Sequence, residues 1–75
     1  MKYEYLRKTR KEKKISVKEI LKALKNLKTE SAYYKKENGY IPFTIDECEK
    51  ISNLLGEPIE ELFKTDGRNQ WWKLN

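Results

Sequence analysis

The side chains in this sequence that could do chemistry are cations, hydroxyls and amides, because most of the groups that catalyse reactions are missing. The 75 residues include no histidine and one cysteine, Cys48. There is no nucleophile beside a base, no glycine-rich phosphate loop and no pair of carboxylates expected to share a cleft. Acid–base, nucleophilic and metal-assisted reactions therefore lack their usual groups. An enzyme is not expected, and neither a cofactor nor a metal is called for. Charge is what the chain offers instead. Residues 1–36 hold 13 Lys or Arg against 4 Glu, a balance of +9, and residues 37–75 hold 4 against 8 acids, a balance of −4, within a net charge of +5. A basic face concentrates phosphates by long-range attraction and holds them by counterion release. Lysines that merely solvate a small surface are the competing explanation of the same count.

The elements that must position those cations are short. A chain of about 60 residues buries only about 60% of its extended surface, so nearly every apolar side chain is claimed by the core. A single cysteine cannot form an internal disulfide, no apolar run approaches the roughly 20 residues of a membrane span, and the first residues lack the apolar stretch of a signal peptide. A soluble, reducing, cytoplasmic setting with no membrane contact is the expectation.

End signals divide the chain into five helices. Tyr3 to Lys13 is rich in helix formers, with Tyr3, Leu6 and Arg10 on one side. Ser16-Val17-Lys18-Glu19 is a capping box that opens a second helix, with Val17, Ile20, Leu21 and Leu24 as its apolar stripe. A turn near Asn26 leads to Thr29, the cap of a third helix that Asn38-Gly39 stops. Thr44-Ile45-Asp46-Glu47 is a second box, and Ile45, Cys48, Ile51, Leu54 and Leu55 are expected to face inward until Gly56 ends the helix. Pro58 fits the first turn of a last helix carrying Ile59, Leu62 and Phe63.

This ordered set resembles the phage repressor and Cro helix-turn-helix family, the xenobiotic-response-element-like regulators. The residues that carry the resemblance are Leu6-Arg7 in the first helix, the Ser16 cap, Glu37-Asn38-Gly39 at the end of the third helix, the interval from Gly39 to Gly56, and the closing Ile59-Glu60-Glu61-Leu62-Phe63. It covers roughly residues 3–63. The resemblance implies an all-α, compact five-helix, lambda-repressor-like DNA-binding domain over residues 1–66, followed by a tail over 67–75. It implies duplex DNA as the ligand. By position it assigns base reading to Glu30, Ser31 and Lys35. It assigns DNA-backbone contacts to Ser16, Val17, Lys18, Lys28, Thr29, Tyr34, Asn38 and Tyr40. In the major groove lysine suits guanine, which offers two acceptors, and glutamate suits cytosine, which offers an amino donor. Val17 stands where the family usually has glutamine, leaving the backbone N–H groups of the helix start to meet a phosphate.

Other residues keep two readings open. Tyr34 either contacts a phosphate or binds a partner protein. Tyr33 is expected in the core, and Cys48 is expected to act as a small hydrophobe. Lys36 falls at a position the family fills with an apolar residue, so its stem snorkels or the helix is rotated. The segment before Glu37 is two residues longer than is common and has no turn glycine, which either displaces the third helix or extends the second. Trp71 and Trp72 either cap the core or form a dimer or partner interface.

Two functions follow from these expectations. One is a Cro-like or repressor-like regulator of a phage or mobile element, binding operator DNA as a homodimer. The other is an antirepressor-like or antitoxin-like protein that binds a partner regulator or toxin. RNA binding has only charge and tyrosines in its favour, with no RNA-module motif.

Overall fold

Each chain segment that opens with a hydroxyl cap and closes at a left-handed residue is a helix in the computed structural model, which describes residues 2–64. The order is α1 (Glu4–Glu12), α2 (Val17–Leu24), α3 (Glu30–Glu37), α4 (Ile45–Leu55) and α5 (Ile59–Leu62), with no strand among the described residues. This is the all-α, five-helix architecture expected from the sequence. Both capping boxes form: the Ser16 hydroxyl accepts from the Glu19 N–H at 3.2 Å, and the Thr44 hydroxyl from the Glu47 N–H at 3.1 Å. Thr29 caps α3 by accepting from the Ala32 N–H. Pro58 lies one position earlier than expected. It is the N-cap of α5, with extended ψ of 148°, because the helical turn begins at Ile59.

The chain reverses direction at left-handed residues, and two of the four are lysines. After α1, Lys14 has φ 57° while the Ile15 N–H donates to the Arg10 carbonyl and the Lys14 N–H to that of Lys11. That double bond pattern is a Schellman stop. Gly39 at φ 93° makes the same stop after α3, where the Tyr40 N–H donates to the Lys35 carbonyl. Lys25 ends α2 at φ 64°, so a lysine occupies the left-handed position of the turn that has no glycine. The extra length lies in the connection, residues 25–29, and α2 is not extended.

Leu6, Val17, Ile20, Leu24, Tyr33, Ile51, Leu55 and Leu62 form the buried core. Half-buried Tyr3, Ile15, Leu21, Leu27, Phe43 and Phe63 close around it. Tyr3, Phe43 and Phe63 meet edge to face, with ring centroids 5.0 to 5.8 Å apart, a geometry that suits the aromatic quadrupole. Within this frame α2 packs chiefly on α4, and α1 on α5 and α3.

α4 corrects part of the sequence reading. Its buried stripe is Glu47, Ile51 and Leu55. Ile45 is 79% exposed, and Leu54, at 36%, lies on the edge of the stripe. At about 100° per residue, Ile45 sits about 120° from the centre of that stripe. A carboxylate takes the inward place expected of an apolar side chain. Cys48 is half-buried, and burial pushes its thiol above the ordinary range, which keeps it protonated. The expected domain boundary at residue 66, the tail, Trp71 and Trp72 lie outside the described residues.

Candidate nucleic-acid interface

The face most suited to a ligand is built on α3, and what fixes that helix is mostly polar. α2 is sharply amphipathic, whereas α3 has almost no apolar side. Its buried residues are Tyr33, Lys36 and Glu37. Two charges therefore face inward, and each is matched. Glu37 receives two hydrogen bonds from Arg10 on α1, Nε to Oε2 at 3.2 Å and Nη2 to Oε1 at 3.3 Å, and a third from the Tyr33 hydroxyl at 2.7 Å. Lys36 donates from Nζ to Glu47 Oε1 on α4 at 2.8 Å and to the Pro42 carbonyl at 3.1 Å. Its ammonium is thus held inside the fold. Of the two alternatives, snorkelling or a rotated helix, snorkelling does not occur, because the buried carboxylate of Glu47 receives the ammonium.

These contacts leave clear electrostatic signatures. Burial works against the charge of Arg10, but the hydrogen bond and charge of Glu37 outweigh it and raise the guanidinium pKa. Burial, then the charge of Glu37 and the hydrogen bond to it, push the Tyr33 phenol far above its usual range. Burial would raise the pKa of Glu47, yet hydrogen bonds from Lys36, the Thr44 backbone and Asn26, with the charge of Lys36, hold it below the usual carboxylate range.

With 33, 36 and 37 turned inward, the other side of α3 is open. Glu30, Ser31, Tyr34 and Lys35 are all exposed. At about 100° per residue they fall within one arc of about 140°. Three of them are the expected base readers, and Tyr34 flanks them, 40% exposed with its ring 6.0 Å from that of Tyr33. The expected backbone contacts distribute around this arc. Lys28 and Thr29 precede the helix and are exposed, although the Thr29 hydroxyl is used in the cap. Asn38 and Tyr40 follow it, Tyr40 being 81% exposed.

At the start of α2, Ser16 and Lys18 are exposed, but the Val17 side chain is only 4% exposed and belongs to the core. Val17 can offer a phosphate only its N–H, which as a first-turn group has no acceptor within the helix. Among the described residues, Lys18, Lys22, Lys25, Lys28 and Lys35 are exposed and form no ion pair. The buried Arg10 is paired with Glu37, and the buried Lys36 with Glu47 and the Pro42 carbonyl. Five ammonium groups on or beside the helix-turn-helix segment are therefore available to an anion.

Three contributors were not foreseen in the sequence: the inward carboxylates Glu37 and Glu47, and the Asn26 side chain, which donates to Glu47 Oε2 at 3.0 Å. A signal existed for one of them. A lysine at an inward helical position demands a carboxylate partner, and Glu47 was already marked by its capping box.

No curated protein and no solved structure matches the chain. A family model described as helix-turn-helix, of the Cro/C1 type, matches residues 6–62. That span takes in all five helices apart from the first residues of α1. No described helix is long and apolar enough to cross a membrane. The chain belongs to this helix-turn-helix family, whose members bind double-stranded DNA as transcriptional regulators.

Proposed function

We propose that this protein is a sequence-specific repressor-like or Cro-like regulator that acts by occupying an operator, in a phage or other mobile element. The observation that carries the reading is the division of α3. One side is held by Tyr33, Lys36 and Glu37, and the other presents Glu30, Ser31, Tyr34 and Lys35 together. In this reading Lys35, Ser31 and Glu30 meet base edges. Ser16, the N–H of Val17, Lys18, Lys28, Thr29, Tyr34, Asn38 and Tyr40 set the register on the phosphates. Residues 1–66 form the DNA-binding unit, and the tail with Trp71 and Trp72 joins two copies across a two-fold axis. No cofactor is required.

The deciding experiment is selection of bound duplexes from a random library at near-physiological salt. A convergent palindrome with half-sites about one helical turn apart supports the reading. A folded protein that enriches no motif overturns it.

A second reading is favoured by one feature of the surface. Tyr40 and Ile41 in the connection from α3 to α4, and Ile45 at the start of α4, are exposed at 81%, 39% and 79%, and Glu30 adds a negative charge to the face that would meet DNA. An antirepressor-like or antitoxin-like protein would use such side chains against a partner regulator or toxin. Its binding would depend weakly on salt, whereas a DNA binder loses affinity with a slope of about −0.9 per phosphate neutralised.

A further inference from the structure

The connection from α2 to α3 is five residues long, spans residues 25–29 and turns through a left-handed lysine. A connection of this kind does not by itself fix the angle between two helices. Nor does α3 have an apolar stripe that would seat it, since Tyr33 is its one fully buried hydrophobic side chain. Dispersion and hydrophobic burial are non-directional, so one ring does not set the roll of the helix, and on the α1 side the directional contacts are those of Arg10 with Glu37. Hydrogen bonds are directional.

On the α4 side, one carboxylate supplies that direction from both ends of the helix. Glu47 is completely buried. Its Oε2 accepts from the Asn26 side-chain amide at 3.0 Å, in the connection before α3. Its Oε1 accepts from Lys36 Nζ at 2.8 Å, in the last turn of α3, and from the Thr44 N–H at 2.8 Å, in the segment after it. Lys36 extends the chain of contacts to the Pro42 carbonyl at 3.1 Å. The entry to α3, its last turn and its exit thus converge on a single side chain of α4. Among the described residues no buried side-chain polar atom is left without a partner, so the network is fully satisfied.

We infer that Asn26, Lys36 and Glu47 are positioning residues that set the orientation of α3, and through it the choice of DNA sequence. This deepens the operator reading above and rests on it for the DNA-binding half. None of the three is among the residues assigned to DNA contact, and Lys36 and Glu47 are buried. Asn26 tethers the lengthened connection, Lys36 pins the far end of the helix, and Glu47 is the shared acceptor.

Two variants separate positioning from folding. Asn26→Ala removes one hydrogen bond from an exposed residue. Lys36→Met combined with Glu47→Gln removes the ion pair and keeps an acceptor for the Thr44 N–H, since glutamine also completes a capping box. For each folded variant, the affinity for the duplex selected by the wild type is compared with that for an unrelated duplex of equal length. The orientation of α3 relative to α2 and α4 is read from backbone residual dipolar couplings.

The expected result is a reoriented α3 and a specificity ratio reduced about ten-fold, the scale of one good base contact. Affinity for the unrelated duplex and its salt slope should stay at wild-type values, because no exposed lysine has been touched. Unchanged couplings in both variants would overturn the proposal. So would a specificity ratio within about two-fold of wild type in a helix that has moved. A wild type that enriches no duplex would overturn the operator reading instead, and the couplings alone would then decide whether the network orients α3.

Discussion

Arg10 and Glu37 are 27 positions apart in the chain and meet through two parallel hydrogen bonds, with side chains 7% and 0% exposed. The pair ties α1 to the end of α3, and the Tyr33 hydroxyl completes the carboxylate's shell. Breaking it from one side should cost far more than removing it whole. Arg10→Met leaves a buried carboxylate without its counterion and should destabilise the fold by about 3–5 kcal/mol. Arg10→Met with Glu37→Leu should recover much of that loss. Urea denaturation of the two variants checks the contrast, and equal losses would count against it.

Acid should loosen the opposite side of α3. The carboxyl of Glu47 is held below its usual range, so the folded state binds fewer protons there than the unfolded chain does. Its contribution to stability is present above the unfolded pKa of about 4.3 and is lost as pH falls through the folded value. Tyr33 acts in the other direction. Its phenol is raised in the fold, so the unfolded chain deprotonates first, and stability should decline above about pH 10. Denaturation midpoints measured from pH 3 to 11 should show both flanks. Glu47→Gln should flatten the acid flank, and Tyr33→Phe the alkaline one.

Left-handed residues give a matched pair of tests. A Cβ at Gly39 would stand 2.8 Å from the Lys2 Cβ in a backbone at φ 93°. Gly39→Ala should therefore destabilise by about 1–2 kcal/mol. Lys25, at φ 64°, is an L residue where glycine is better suited. Lys25→Gly should stabilise by about 1 kcal/mol while removing one exposed cation. Thermal melts report the first effect of each, and the salt slope of DNA binding reports the lost charge.

On the operator reading, Lys35 and Lys28 should behave differently. Lys35→Ala should cost about 1–3 kcal/mol on the selected duplex and relax the preference at one base position. Lys28→Ala should weaken all duplexes alike and reduce the salt slope by about 1. Binding isotherms on matched and single-substituted duplexes separate the two outcomes.

Local chemistry made much of this fold readable in the sequence. Ser16 with Glu19, Thr44 with Glu47, and Gly56 announce helix ends within four residues of chain, and all form as expected. The outward arc of α3 followed from counting back from Glu37-Asn38-Gly39. What could not be read was the interior of α3 and α4. Pairing Arg10 with Glu37, or Asn26 with Glu47, is a relation between residues more than 20 positions apart, and helical periodicity carries no information about it. Ile45 departs from expectation for the related reason that an apolar residue type does not by itself define an inward position, and the register of α4 is set by Glu47, Ile51 and Leu55.

Within α3 itself the buried side chains are those at positions 33, 36 and 37. Glu30, Ser31, Tyr34 and Lys35 make no hydrogen bond to another element among the described residues. On the operator reading, a lineage of such proteins can exchange those four side chains and acquire a new target while the scaffold stays unchanged. On that reading the same division makes the chain a small platform for retargeting by design, in which recognition is rewritten without renegotiating the fold.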